Sequence, residues 1–375
     1  MLKLTAAGEL VWAKALGGAT HEQATAVAVD PAGSVYLGGF FTGTMDFDSG
    51  ADIVSVSAGG LTDGFVAKFT AMGDLVWAKA LAPVSDHPVA LVRSLGLDAS
   101  GRIYALLASL PGAADFDTAV GAAGLVAQAG MATTLVRLDA QGTVGVSQRL
   151  GGDAGVLGHS LAVSGNGDAT VAGSFRGTAD FDPGAGTATL TSGGANDGFV
   201  VRLDSNGGYV WSRQLGGTAG DDVQAVALDA AGGVYLLGSF RGTVDLNPGA
   251  GTANATAPEG SEDTFLLKLT AGGDYVWSKS WGGSADDRGY GLAVDAIGEV
   301  SVVGLFGGTV DFDFGAGTTT TSRRIGCDHD GTMLSTATTV EGNGVGTLYD
   351  DDDSGSGGLK FLLCWRHNDS FQLPL

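Results

Sequence analysis

Phe175-Arg-Gly-Thr-Ala-Asp-Phe-Asp-Pro-Gly-Ala-Gly186 is one of five versions of a single phrase in this 375-residue chain. The others begin at Phe41, Leu110, Phe240 and Phe306, and the first aspartates of the five copies are Asp46, Asp115, Asp180, Asp245 and Asp311. Successive copies lie 69, 65, 65 and 66 residues apart. A repeat of about 66 residues held this regularly sets the architecture before any local reading is made.

Outward from the phrase, each repeat has the same plan. In the first whole copy, Ala24 to Val29 reads as an apolar strand. Asp30-Pro-Ala-Gly33 reads as a tight turn, because Asp bonds its own backbone, Pro fixes φ and Gly supplies the left-handed residue. Val35 to Phe41 is a second strand, and after the phrase comes a short strand at Ile53 to Ser57. Asp63 to Phe69 and Leu75 to Leu81 close the unit. Trp77, Trp211 and Trp277 repeat Trp12, and Val146 takes that place in the diverged second repeat. No 3.6-residue apolar period persists, which excludes a helical solenoid.

Four strands per unit at fixed period predict an all-β fold, a β-propeller of four-stranded blades. The whole blades are expected at 19–81, 82–150, 151–215 and 216–281. Residues 1–18 and 282–321 are two half-blades that could join as a fifth; an open arc is the alternative. The propeller domain thus covers 1–321. The phenylalanines at 41, 175, 240 and 306 and the tryptophans are the expected fillers between blades. After Ser322 the pattern breaks off. Residues 322–375 read as an aberrant tail from a shifted reading frame and are expected to be poorly ordered.

Composition bounds the function. The 41 acids and 19 bases leave a formal net charge of −22, which repels nucleic acid and anionic membrane. No apolar run is long enough to insert in a bilayer. The two cysteines, Cys327 and Cys364, both lie in the tail, so no disulfide framework holds the repeats. Met1 to Trp12 matches Leu266 to Trp277, so the chain opens inside a repeat, and an export signal is expected upstream.

The candidate metal ligands are the paired acids of the phrase: Asp46 and Asp48, Asp115 and Asp117, Asp180 and Asp182, Asp245 and Asn247, Asp311 and Asp313. In an extended segment each pair shares one face, with a turn following. Two carboxylates plus turn carbonyls suit Ca²⁺. The other role is structural: the acids accept backbone N–H bonds and fix the turn. A second set of acids, Glu22, Asp221, Asp222, Asp286 and Asp287 before the first strand and Asp63, Asp197 and Asp263 before the third, reads as strand-edge and turn charges. His21, His87 and His159 show no zinc spacing, and no nucleophile elbow or phosphate loop occurs.

Asp-x-x-Gly-x-Val-Tyr, Phe-x-Gly-Thr-x-Asp-Phe-Asp-Pro-Gly, Asp-Gly-Phe-Val-x-Lys-Leu and Val-Trp-x-Lys-x-Leu-Gly-Gly recur in fixed order over 1–321. This combination resembles the SBBP family of bacterial β-propeller repeats. The resemblance implies a propeller in secreted or cell-surface proteins, often beside other modules, with no defined catalytic activity. Leu203 to Trp211 also resembles the tryptophan-docking motif of quinoprotein dehydrogenases, in which the tryptophans pin blades together. The expected function is therefore a non-catalytic extracellular scaffold or binding module for a protein or glycan, with calcium as a candidate stabiliser. The alternatives are a propeller enzyme, quinoprotein-like or carbohydrate-active, and a purely structural surface array.

Overall fold

The computed structural model describes residues 1–48, 54–59, 61–81, 89–109, 131–151, 155–307, 309–311, 320–322 and 359–363. The chain forms two compact units, Met1–Thr191 with Val200–Ser212, and Ser192–Phe199 with Arg213–Leu375. The described residues are all-β, in several antiparallel sheets.

The first unit holds two complete four-stranded sheets, each in chain order. One is Glu22–Val29, Val35–Phe41, Asp63–Phe69 and Leu75–Leu81. The other is Ala90–Leu97, Ile103–Ser109, Ala132–Leu138 and Val144–Leu150. Leu2–Leu4 pairs with Leu10–Ala13 ahead of them, and Val156–Val163 pairs with Ala169–Phe175 after them. The second unit holds the sheet Asp221–Leu228, Val234–Arg241, Glu262–Leu269 and Tyr275–Trp281, then the pair Arg288–Val294 and Val300–Leu305. These strands fall where hydrophobic pattern and turn chemistry place them.

Burial explains the residue choice. The second strand is covered on both faces and is therefore a nearly continuous apolar run, as in Ile103–Ser109. The fourth strand, Leu75–Leu81, is only partly covered and roughly alternates. The turn after the first strand is closed by an aspartate at Asp30, Asp98, Asp229 and Asp295, and Ser164 takes that place in the third whole repeat; the Ser34 amide donates to Asp30 Oδ1 at 2.8 Å and that of Gly233 to Asp229 Oδ1 at 2.7 Å.

The phrase forms a small hairpin of two three-residue strands, where the sequence suggested one. Thr44–Asp46 pairs with Ser55–Ser57, Thr178–Asp180 with Thr189–Thr191, Thr243–Asp245 with Asn254–Thr256, and Thr309–Asp311 with Thr320–Ser322. The glycine pair closing a fourth strand docks on the hairpin of the next repeat: Gly17 pairs with Asp46 and Gly18 with Met45, as Gly216 pairs with Asp245 and Gly217 with Val244. A Cβ on Gly18 would lie 2.3 Å from the Thr44 carbonyl oxygen, and one on Gly217 would lie 2.2 Å from that of Thr243, so only glycine fits.

Phe41, Phe47, Phe65 and Phe69 form the core of the first repeat, joined by Met1, Trp12 and Leu16 of the preceding half-repeat. Trp12 Nε1 donates to the Ala71 carbonyl and Trp77 Nε1 to that of Ala140, each at 3.1 Å. Each of these tryptophans therefore pins its own repeat to the third turn of the next.

Every described first strand carries an irregularity at one place, between Ala24 and Ala26, Val92 and Ser94, Gly158 and Ser160, Val223 and Ala225, and Gly289 and Gly291. In the tail, Leu359–Leu363 runs parallel to Val300–Gly304, on the edge where a complete repeat carries its third strand antiparallel.

Candidate functional site

The hairpin acids come first. Asp180 Oδ1 accepts the amides of Asp182 at 3.0 Å and Ala188 at 2.8 Å, and Asp182 Oδ1 accepts that of Gly184 at 2.7 Å. Asp46 Oδ1 takes the amides of Asp48 and Val54, both at 3.0 Å. Asp245 Oδ1 takes those of Asn247 at 2.9 Å and Ala253 at 2.8 Å, while Asn247 Oδ1 takes Gly249 at 2.9 Å. Thus the first acid closes the hairpin across eight residues and the second holds its tip. Phe47, Phe181 and Leu246, between the two positions, are buried. The three pairs sit in separate hairpins. Asp311 ends a strand whose backbone alone is described, and Asp115, Asp117 and Asp313 lie outside the described residues. Among the described residues no three His, Cys, Asp or Glu side chains gather around one point.

Five acids of the second set depart from the edge-charge expectation. Asp63, Asp197 and Asp287 are fully buried, and Asp221 and Asp263 nearly so. The reason is packing between repeats. The Asp221 amide donates to the Asn196 carbonyl at 2.8 Å, and the Asp287 amide to that of Glu262 at 2.6 Å. These bonds set Asp221 beside Asp197 and Asp287 beside Asp263, across the seams that open and close the fourth repeat.

Glycine makes room for them. A Cβ on Gly216 would lie 2.3 Å from Asp197 Cγ, and one on Gly282 would lie 2.2 Å from Asp263 Cγ. The next glycine in each case is a donor, Gly217 to Asp221 Oδ2 at 2.7 Å and Gly283 to Asp287 Oδ2 at 3.0 Å. Burial pushes Asp221 up to about 6, with the charges of Asp197 and Glu262 adding. Burial and then the charge of Asp287 push Asp263 up to about 7, and burial pushes Asp287 up to about 6.

A third arrangement does not repeat. Glu262, 13% exposed, receives Arg241 Nη2 at 2.7 Å and Arg288 Nη2 at 2.8 Å on Oε2. Its Oε1 takes the Ser239 hydroxyl at 2.5 Å and Arg288 Nε at 3.1 Å. Asp286 lies 3.3 Å from Arg241 and accepts the Glu262 amide at 3.1 Å. Burial would raise the Glu262 pKa, but the Ser239 hydroxyl and the Arg288 guanidinium outweigh it and hold the acid below its usual range. Arg241, Asp286 and Arg288 are 38%, 47% and 43% exposed, so the cluster offers both signs of charge to solvent. Sequence reasoning missed it. The partners of Arg241 lie 21 and 45 positions away in the chain.

Comparison with known proteins gives little more. No family model matches the chain. Regulatory protein FlaEY of Caulobacter vibrioides is 27% identical over 280 residues, which is 73% of this chain and 28% of that protein. The chain therefore spans just over a quarter of the length of this relative. A crystal structure of a protein of unknown function from Bacteroides caccae superposes over 73% of this chain and 86% of its own, with 14% identity and a TM-score of 0.29.

Proposed function

We propose that the chain is a propeller-type repeat scaffold, with four whole blades and two half-blades that can close as a fifth, acting as a non-catalytic binding module on a secreted or surface protein. The 66-residue period and the four-stranded sheets in chain order support the blade reading.

One observation carries the binding role. In the described hairpins and turns the repeated aspartates are engaged by backbone N–H groups of their own turns, as at Asp180 and Asp229. The repeated chemistry is thus used internally, and recognition falls to side chains that differ between repeats. Glu262, Asp286 and Arg288 are such side chains, and with Arg241 their paired charges and exposed guanidinium edges suit a protein or glycan surface rich in hydrogen-bonding groups. The Caulobacter relative, described as a regulatory protein, is compatible with a binding role. The enzymatic alternative would draw on the perturbed acids Asp263 and Asp287, but both are buried, and Asp287 holds a backbone N–H on each oxygen.

The test is a glycan-array and purified surface-protein screen with the whole chain, repeated with Arg241→Ala/Arg288→Ala. Binding that the double variant loses supports the reading. Binding that it retains moves the site elsewhere, and no binding favours a purely structural array.

A further inference from the structure

Asp197 Oδ1 is buried and has no hydrogen-bond partner among the described residues. Its other oxygen is satisfied twice, by the Gly193 amide at 3.0 Å and by Gln214 Nε2 at 2.6 Å. An orphaned carboxylate oxygen is costly in an interior position. Across the seam stands Asp221, whose amide is bonded to the Asn196 carbonyl next to Asp197 and whose carboxyl feels the Asp197 charge. Asp221 commits Oδ2 to the Gly217 amide at 2.7 Å, while Oδ1 has only a long 3.4 Å contact from the Arg241 amide.

The other seam has the same division of labour. Asp287 accepts a backbone N–H on each oxygen, from Gly307 at 2.9 Å and Gly283 at 3.0 Å. Asp263, beside it, has a weak 3.5 Å contact with the Ser261 hydroxyl. In each seam one acid is the better supplied with hydrogen-bond donors and the other is left shorter of them.

We propose that each seam of the fourth repeat is clasped by one shared proton, Asp221 donating to Asp197 and Asp263 donating to Asp287, and that loss of these protons loosens the two joints. The surroundings favour one proton per pair. Around the first pair stand Gln214, Glu262 and the amides of Gly217 and Arg241. Around the second stand Ser261, Asp286 and the amides of Gly283 and Gly307. The nearby cations Arg241 and Arg288 are engaged by Glu262 and Asp286. Two buried carboxylates side by side cannot both ionise cheaply.

The sign follows from linkage. The folded chain binds these protons more tightly than the unfolded chain. Stability from them is complete below the ordinary aspartate range near pH ~4 and is lost as pH rises through about 6 to 7. The test is thermal unfolding of the whole chain at about pH 5 and about pH 8, for wild type and for Asp221→Asn/Asp263→Asn. Asparagine is the isostere of the protonated acid: its NH₂ donates to the partner and its oxygen still accepts. Wild type is expected to melt several degrees lower at the higher pH, and the double variant to lose that difference. A variant with the wild-type slope, or a wild type with none, overturns the proposal. If the variant does not fold, infrared spectroscopy of wild type near pH ~6 decides, since ordinary carboxyls are ionised there. A protonated-carboxyl band that vanishes by about pH 8 is expected, and its absence overturns the proposal.

Discussion

The carboxylate of Asp180 and the amide of Ala188 are eight positions apart in the chain and 2.8 Å apart in space. That one bond fixes the hairpin's width, because the same oxygen also holds the Asp182 amide. Asp180→Ala therefore leaves two N–H groups without their acceptor and is expected to cost about 1–2 kcal/mol. Asp180→Asn, which keeps an acceptor oxygen, costs less. Denaturant titration of the two variants checks the order.

The same geometry bears on calcium. Because three N–H groups already occupy Asp180 Oδ1 and Asp182 Oδ1, millimolar Ca²⁺ is expected to leave Tm unchanged, with or without chelator. A ligand at a hundredfold excess over its Kd would stabilise by ~2.7 kcal/mol. A rise in Tm that chelator reverses, and that Asp180→Asn/Asp182→Ala abolishes, would make the hairpins metal sites.

Trp77→Phe keeps most of the apolar contact with Tyr36 but removes the bond to the Ala140 carbonyl. The expected loss is about 1 kcal/mol, and Trp77→Ala, which also empties the space, loses ~3–5 kcal/mol. A Trp77→Phe variant as stable as wild type would deny the bond any role.

Gly217→Ala drives a methyl group to within 2.2 Å of the Thr243 carbonyl oxygen, against backbone that cannot swing away. Loss of ~2 kcal/mol or more is expected. Gly220→Ala is the control, since nothing lies within 4 Å of its new Cβ. Similar melting temperatures for the two would refute the docking role of the glycine.

Acid stability should run the other way from the seams. The Glu262 pKa is depressed, so its contribution is present above the ordinary glutamate range and is lost as pH falls below about 4. Asp98, held low by Ser100 and Arg102 against its own burial, behaves alike. With the seam acids losing stability on the alkaline side, Tm is expected to peak near pH ~5. Glu262→Gln should flatten the acid limb by about 1 kcal/mol.

Much of the fold could be read from the chain because its signals are local. Val35 to Phe41 is apolar throughout and bounded by Asp-Pro-Ala-Gly, and it is a strand buried on both faces. The hairpin strand Thr44–Asp46 was not legible, since three residues give no period. The first-strand irregularities leave no compositional mark either, as Thr25, Arg93, His159, Gln224 and Tyr290 occupy the displaced position. Asp197 and Asp263 were misread because an aspartate is ordinarily exposed, and Gly216 and Gly282, distant in the chain, pack directly on them. The Glu262 cluster is assembled by tertiary contact between segments with no shared motif, so no linear pattern announces it.

The docking of Gly17-Gly18 and Gly216-Gly217 on the following hairpin has a genetic consequence. In this joint the pairing between a repeat's last strand and the hairpin of its successor is made by two residues without side chains. Such a joint is blind to which copy stands on either side. Unequal crossing-over between copies can then lengthen or shorten the gene by whole units while every junction stays intact. Drift is free to rewrite the exposed side chains of one unit at a time, so the binding surface can diversify without the joints being renegotiated.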